Sequence, residues 1–124
     1  MPHEYAIDTA KRLVKARMWG DLNRAEVLKA ALELSADPRL LPGFSELIDL
    51  REASATSISA EDVRAIASAP LDPAARRAFV VPDDLMFGLA RMFATLRELE
   101  QVPEDINVFR KIEEAETWLG LRQA

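Results

Sequence analysis

The chain contains no cysteine, and its single histidine is His3, close to the N-terminus. The absence of cysteine excludes disulfides, thiolate chemistry and cysteine-bound zinc. A metal site built on histidine is not expected either, because we expect the first residues to be frayed. The sequence also shows no glycine-rich phosphate loop and no hydroxyl–histidine pair. We therefore predict no metal, no cofactor and no enzymatic activity.

Basic residues are fewer than acidic ones, and long apolar runs are absent. The chain has 16 Lys and Arg against 21 Asp and Glu, so its formal net charge is −5. An acidic surface repels phosphate backbones, which argues against a nucleic-acid partner. No stretch approaches the roughly 20 apolar residues of a membrane span. Residues 1–10 have neither the basic region nor the apolar core of a secretory signal, so we expect a cytoplasmic protein.

The composition that remains is typical of a soluble globular protein, with 49% apolar and 30% charged residues in 124 positions. This length predicts one domain spanning residues 1–124. Hydrophobic periodicity predicts the element order β-β-α-β-α-β-α-β-α. The predicted strands cover residues 5–7, 12–19, 46–51, 78–81 and 106–109, and the predicted helices cover 23–35, 61–68, 84–100 and 111–119. The first two strands form a hairpin, and the later alternation of strands and helices favours a mostly parallel sheet, hence an α/β fold.

The segment from Leu47 to Ile66 combines an apolar strand, a loop rich in small residues and a helix start. Ser59 and Asp62 have the spacing of a capping box. A hydroxyl-rich loop at a helix N-terminus is a place where an anion can be held or a phosphate added. The alternative interpretation is that Ser59 acts only as a helix N-cap.

This element order, together with the segment LIDLREASATSISAEDV, resembles the STAS and SpoIIAA-like superfamily. The segments VVPDDLMFGLARMF and VFRKIEEAETWL are similar to a branch of uncharacterised bacterial proteins of that architecture. The resemblance implies a SpoIIAA-like sheet of about five strands with an N-terminal β-hairpin and four helices. Superfamily members that act as anti-sigma factor antagonists are phosphorylated on the loop serine and bind a kinase or regulator. By position that serine is Ser59, or Ser57 in another alignment.

The predicted helix 84–100 has two stripes at helical spacing. Its predicted core face consists of Leu85, Leu89, Met92, Leu96 and Leu99. The other stripe carries Phe87 and Arg91, with Gly88 beside them. A glycine within a helix suggests close approach by another chain, element or ligand. Phe87, Gly88 and Arg91 therefore form a predicted contact surface, unless Phe87 packs under the 70–73 loop or a neighbouring strand.

Charged and hydroxyl residues are expected where the parallel strands end. The set comprises Arg51, Ser57, Ser59, Asp83 and Arg110. Ligands of open α/β sheets bind at this edge, and two arginines there suit a carboxylate or phosphate. The alternative is that these residues are solvated loop charges.

Three functional hypotheses follow from the residues and the resemblance. The first is a non-enzymatic regulatory module that binds a protein partner through Phe87, Gly88 and Arg91 together with the Ser57–Ser59 loop. A second copy of the chain, bound through the same helix, is one such partner. The second is a carrier or sensor of a small apolar or carboxylate ligand, with Arg51, Arg91 or Arg110 as the anion partner. The third is a switch phosphorylated on the loop serine. Paired carboxylates such as Glu61–Asp62 lie at helix starts, where the macrodipole already accounts for them.

Overall fold

Five strands and four helices alternate along residues 3–122, the part of the chain that the computed structural model describes. The strands are β1 His3–Asp8, β2 Leu13–Asp21, β3 Ser45–Ser54, β4 Arg76–Val80 and β5 Asp105–Phe109. The helices are α1 Arg24–Ser35, α2 Ala60–Ala67, α3 Asp84–Leu99 and α4 Ile112–Trp118. This order of elements is the one predicted from hydrophobic periodicity.

The five strands form one sheet in the order β1-β2-β3-β4-β5. The β1–β2 pair is antiparallel, and the three later pairs are parallel. Since each crossover leads to the adjacent strand with the same right-handed sense, the crossover helices α1, α2 and α3 share one face of the sheet. The predicted α/β fold with a mostly parallel sheet and an N-terminal hairpin is confirmed.

Alternation along the strands separates two apolar layers. On the face covered by α1, α2 and α3, Met18 and Leu50 pack with Met86 and Ala90 of α3. On the opposite face, Leu47 packs with Ala115 of α4, together with two residues of β4. Helix α4 contacts β3, β4 and β5. The sheet therefore has three helices on one side and one helix on the other.

The residues predicted to cap helices form hydrogen bonds at the helix ends. Asn23 accepts a hydrogen bond from the backbone N–H of Glu26, and Ser59 and Asp62 form a reciprocal capping box. Each such cap contributes about 1 kcal/mol to its helix. Gly120, at φ 79°, follows the last helix, and its N–H donates to the carbonyl of Thr117. The predicted glycine at the end of this helix is thereby confirmed.

The predicted core face of α3 is wrong by about one residue. The buried positions are Met86, Ala90, Phe93 and Arg97. Leu85 is 49% exposed and Leu99 is 73% exposed, although both were expected in the core. The larger leucines mark one border of the buried face rather than its centre. The centre contains an alanine and an arginine, which a hydrophobic stripe does not reveal.

Strand β3 also runs past its predicted end at Arg51. It continues to Ser54 because β2 extends to Asp21, and the two strands stay paired across a register shift near Trp19. Arg51 and Glu52 are exposed within the strand. The extension places Ser54 directly opposite Asp21.

Candidate functional site

A cavity of about 180 Å³ lies between the sheet and helices α1, α2 and α3. Of its 26 lining residues, 19 carry hydrocarbon side chains or a thioether. Protein interiors are normally packed so closely that few voids exceed a water molecule. We call this space the interlayer cavity; its walls include Ala16, Ile48 and Phe79 from the sheet and Ala31, Met86 and Ala90 from the helices.

The interlayer cavity exists because small side chains of α1 and β2 face each other. Ala30 and Ala31 of α1 and Ala16 of β2 all line the cavity. Layers fill the space between them when large residues face small ones, so alanines on both sides leave a gap. Leu34 is the buried residue of α1, and the other apolar side chains of its inner stripe are only half-buried.

Two polar contacts tie the C-terminal half of α1 and the residues after it to strand β1. The His3 Nε2 atom lies 2.7 Å from a carboxylate oxygen of Glu33, and the Tyr5 hydroxyl donates to Asp37 over 2.8 Å. Hydrogen bonds from Arg39 lower the pKa of Asp37, and the bond to Asp37 raises the pKa of Tyr5. Since His3 and Tyr5 also line the cavity, these contacts border it on the β1 side.

A network of four charged residues closes one end of the interlayer cavity. We call Glu46, Arg77, Arg97 and Glu104 the charge network; all four side chains are at most 7% exposed. Glu46 and Arg77 are direct neighbours near the amino ends of β3 and β4. Arg77 donates to Glu46 over 3.2 Å and to Glu104 over 3.1 Å, and Arg97 donates to Glu104 over 2.8 Å. Glu46 and Arg77 line the cavity.

The charge network has no formal net charge, because its two guanidinium groups are matched by two carboxylates. The remaining nitrogens of Arg77 and Arg97 reach backbone carbonyls of Asp72, Ala67 and Leu71. Buried charges that are paired and hydrogen-bonded in this way avoid the large cost of an isolated buried ion. Within residues 3–122, no buried side-chain polar atom lacks a partner.

Sequence reasoning missed Glu46 and Arg77, although a signal was present. In β3, Glu46 alternates with Ile48 and Leu50, so it occupies an inward position in an otherwise apolar series. In β4, Arg77 precedes Phe79 in the same way. A charged residue at an inward strand position indicates a buried partner of opposite charge.

Phe87, Gly88 and Arg91, the predicted contact residues of α3, lie outside the interlayer cavity. Phe87 is half-buried and packs against the layer beneath it, and its ring centroid lies 5.7 Å from the guanidinium carbon of Arg110. Arg110 also forms an ion pair with Asp84. Gly88 and Arg91 are exposed, and a Cβ at position 88 would have no atom of the described chain within 4 Å.

The residues predicted at the carboxyl edge have local partners. Arg51 donates to Asp49 of its own strand over 2.8 Å, and Asp83 caps α3. The Arg51 guanidinium lowers the pKa of Asp49. Arg51, Arg91 and Arg110 all lie outside the interlayer cavity. The structure therefore does not bring these three arginines to an anion site between the helices.

The hydroxyl-rich loop converges on Asp21, which sequence reasoning missed. The Ser57 hydroxyl donates to Asp21 over 2.9 Å, and Thr56 and Ser54 donate over 3.2 and 3.3 Å. The parallel pairing of β2 with β3 was the available signal, because it brings both carboxyl ends together. A phosphate on Ser57 would lie beside the carboxylate of Asp21, which disfavours it. Phosphorylation of Ser57 or Ser59 stays a prediction.

Comparison with solved structures bears on the fold. The chain is similar to the crystal structure of an uncharacterised protein of the DUF3478 family from Shewanella loihica PV-4, which has a SpoIIAA-like fold. The match has a TM-score of 0.57 at 17% identity and covers 94% of this chain and 93% of that chain. The fold is SpoIIAA-like. The predicted resemblance is thus confirmed for the SpoIIAA-like architecture, and at this identity it shows the fold alone.

No protein-family model matches the chain, and no curated protein matches it either. Among the described residues, no group of three or more histidine, cysteine, aspartate or glutamate side chains is arranged to hold a metal ion. No helix within residues 3–122 has the length and apolar character to cross a membrane. The interlayer cavity and its charge network are accordingly the candidate site on this SpoIIAA-like scaffold.

Proposed function

We propose that the protein is a non-catalytic sensor or carrier that binds a small apolar molecule in the interlayer cavity. The observation that supports it is the cavity itself, about 180 Å³ in volume with mostly hydrocarbon walls. An engineered apolar cavity of about 150 Å³ stays dry and binds benzene. By that measure the interlayer cavity accommodates a molecule slightly larger than benzene.

The energetic cost of an empty cavity supports this function. At the cost found for cavities left by core truncation, a fully enclosed void of this size would forfeit on the order of 4 kcal/mol of stability, and the interlayer cavity, which is partly open to solvent, forfeits less. Small domains have only about 5–15 kcal/mol of net stability. A molecule that fills the cavity restores the missing contacts, so the same void that weakens the empty protein favours binding.

The cavity is partly open to solvent, and the weak attachment of α1 allows further access. The contact from His3 to Glu33 is exposed, and such pairs contribute little to stability, so the part-buried hydrogen bond from Tyr5 to Asp37 is the stronger of the two contacts. Helix α1 makes its helix contacts with α2 and buries a single residue, Leu34. Local displacement of α1 therefore costs less than opening the layer beneath α3, which buries four residues.

The test is a titration with toluene followed by NMR of methyl groups. We expect saturable shifts at Ile48, Leu50 and Val63, whose side chains line the cavity from the sheet and α2. The control is Ala31→Leu, which fills the space with a larger side chain and should abolish these shifts. Absence of saturable cavity shifts in the wild type, or equal shifts in both proteins, would contradict the proposal. Native mass spectrometry of gently purified protein would then reveal the natural ligand.

A regulatory role through protein contact is the second candidate, and the open space over Gly88 favours it. A Cβ at Gly88 would have no atom of residues 3–122 within 4 Å apart from its own helix backbone, and Leu85 nearby is 49% exposed. A partner helix or a second copy can approach the backbone closely at a glycine. Light scattering after size exclusion tests the dimer version. A dimer that Phe87→Ala dissociates supports it, and monomers in both proteins exclude it.

A further inference from the structure

The charge network restricts which molecule the interlayer cavity accepts. Glu46 lines the cavity and is the member of the network with the most unused accepting capacity. Each of its carboxylate oxygens receives one hydrogen bond from Arg77, at 3.2 and 3.5 Å. A carboxylate has about four lone-pair positions, so roughly two remain. Because Glu46 alternates with Ile48 and Leu50, its side chain shares their face of the sheet, toward the cavity.

The other members of the charge network have fewer unused hydrogen-bonding groups for a ligand. Arg77, which lines the cavity, uses four of its five N–H groups in hydrogen bonds to protein oxygens, and Arg97, which does not line it, uses three. Glu104 accepts from both arginines and from the backbone N–H of Ala74, and it is absent from the cavity lining. At the buried end of the cavity, Glu46 therefore offers about two unused acceptor positions and Arg77 one unused N–H group.

Charge balance then selects among ligands. A bound carboxylate would face the Glu46 carboxylate without a free guanidinium to receive it. A bound ammonium would add a positive charge to a buried network that is already neutral, at a large desolvation cost. A neutral group that donates one hydrogen bond meets neither penalty.

We infer that the ligand is a neutral, mainly hydrocarbon molecule, about the size of a substituted benzene, whose single hydrogen-bond donor meets Glu46. This inference rests on the proposed ligand-binding function and specifies the ligand class. Glu46 is then the residue that determines specificity, while the apolar walls contribute affinity. The anionic ligand considered from the sequence is disfavoured.

Four probes of matched shape test the inference on the wild-type protein: benzyl alcohol, toluene, benzoate and benzylammonium. Their dissociation constants come from the same methyl shifts at Ile48, Leu50 and Val63. We expect benzyl alcohol to bind about tenfold more tightly than toluene, the size of effect that a hydrogen bond to a charged group gives. We expect both ions to bind more weakly than toluene.

The sign of the alcohol–toluene difference is decisive. An alcohol that enters an apolar cavity without finding an acceptor loses its hydrogen bonds to water and binds more weakly than the hydrocarbon. If toluene equals or exceeds benzyl alcohol while both produce cavity shifts, this inference is overturned and the proposed function stands. If either ion binds best, the inference is overturned as well. If no probe produces cavity shifts, the proposed function fails with it.

Two variants locate the effect within the charge network. Glu46→Gln should reduce the preference for benzyl alcohol over toluene to threefold or less. Glu104→Gln removes a carboxylate from the same network outside the cavity, so it should lower stability and leave the preference within twofold of wild type. A preference lost equally in both variants, or kept in Glu46→Gln, would overturn the role of Glu46. If Glu46→Gln does not fold, the four-probe ranking in the wild type still decides the ligand class.

Discussion

On the α4 side of the sheet, Ala78, Val80 and Ala115 are each 0% exposed. On the other side, α1 buries only Leu34, and a cavity of about 180 Å³ separates this helix from the strands. Both layers contain alanines, so small side chains alone do not explain the difference. Helix α4 lies close enough to the sheet for Ala115 to be fully buried, whereas the alanines of α1 and β2 line open space. One layer is suited to hold the fold together and the other to admit a small molecule.

The largest effect is expected where the cavity meets the charge network. Arg77→Met leaves the Glu46 and Glu104 carboxylates buried without their shared cation. Removing one partner of a buried ion pair costs about 3–5 kcal/mol. Urea denaturation should show this loss as a lower midpoint. Arg76→Met is the matched control, since Arg76 is exposed and interacts with Trp118, through its carbonyl and its ring, rather than with a buried carboxylate. A loss as large for position 76 would contradict a special role for the network.

The next largest effect on stability is expected when the same substitution, alanine to leucine, is made in each of the two layers. Ala115→Leu adds volume to the closely packed α4 layer and should cost about 1–3 kcal/mol through overpacking. Ala31→Leu adds the same volume next to the cavity and should be neutral or stabilising. Thermal denaturation of both variants under one condition provides the comparison. Equal destabilisation by the two substitutions would mean that the cavity cannot accept a larger side chain.

Many of the helices and strands could be predicted from the sequence, because residues close in the chain determine them. The capping residues Asn23 and Ser59 and the alternation in β2 act through neighbours close in the chain. The buried face of α3 was not accessible, because its centre contains Ala90 and Arg97 and depends on what α2 and β5 present to it. The cavity was not accessible either, since it arises from alanines far apart in sequence that meet only in the folded chain.

The predicted site residues also separate into those determined by neighbours close in the sequence and those determined by contacts between distant parts of the chain. The Ser59 cap is local and was found, whereas the gathering of hydroxyls on Asp21 needs the exact register of β2 against β3. Arg110 directly follows the end of β5 as predicted, whereas Arg51 lies within β3, which continues to Ser54. Their partners, Asp49 and Asp84, could not be deduced because side-chain pairing at an exposed edge has several equivalent solutions.

A smaller effect is expected at Gly88, which faces open space on the outer surface of α3 rather than the interlayer cavity. A Cβ there meets no atom within 4 Å, and the backbone has no left-handed conformation at this position. Gly88→Ala should therefore stabilise the isolated protein by about 0.5–1 kcal/mol through helix propensity. Gly43→Ala is the contrasting control, because φ is +88° and its Cβ would lie 2.6 Å from Arg12. Destabilisation by Gly88→Ala would show that another chain uses this surface in solution.

The smallest effect concerns the β1 border of the cavity and depends on pH. Hydrogen bonds from Arg39 and Tyr5 lower the pKa of Asp37 below its ordinary value of 3.8. A carboxylate with a lowered pKa in the folded state stabilises the fold above its ordinary pKa, and this contribution is lost as the pH falls below it. The stability difference between the wild type and Asp37→Asn should therefore be constant near neutral pH and shrink steadily below pH 3.8. Asp72→Asn, at an exposed aspartate away from Tyr5, is the control.

Because Tyr5 lines the cavity, Asp37→Asn should also increase the rate at which toluene enters and leaves the cavity at neutral pH. An unchanged exchange rate would place the entry path elsewhere.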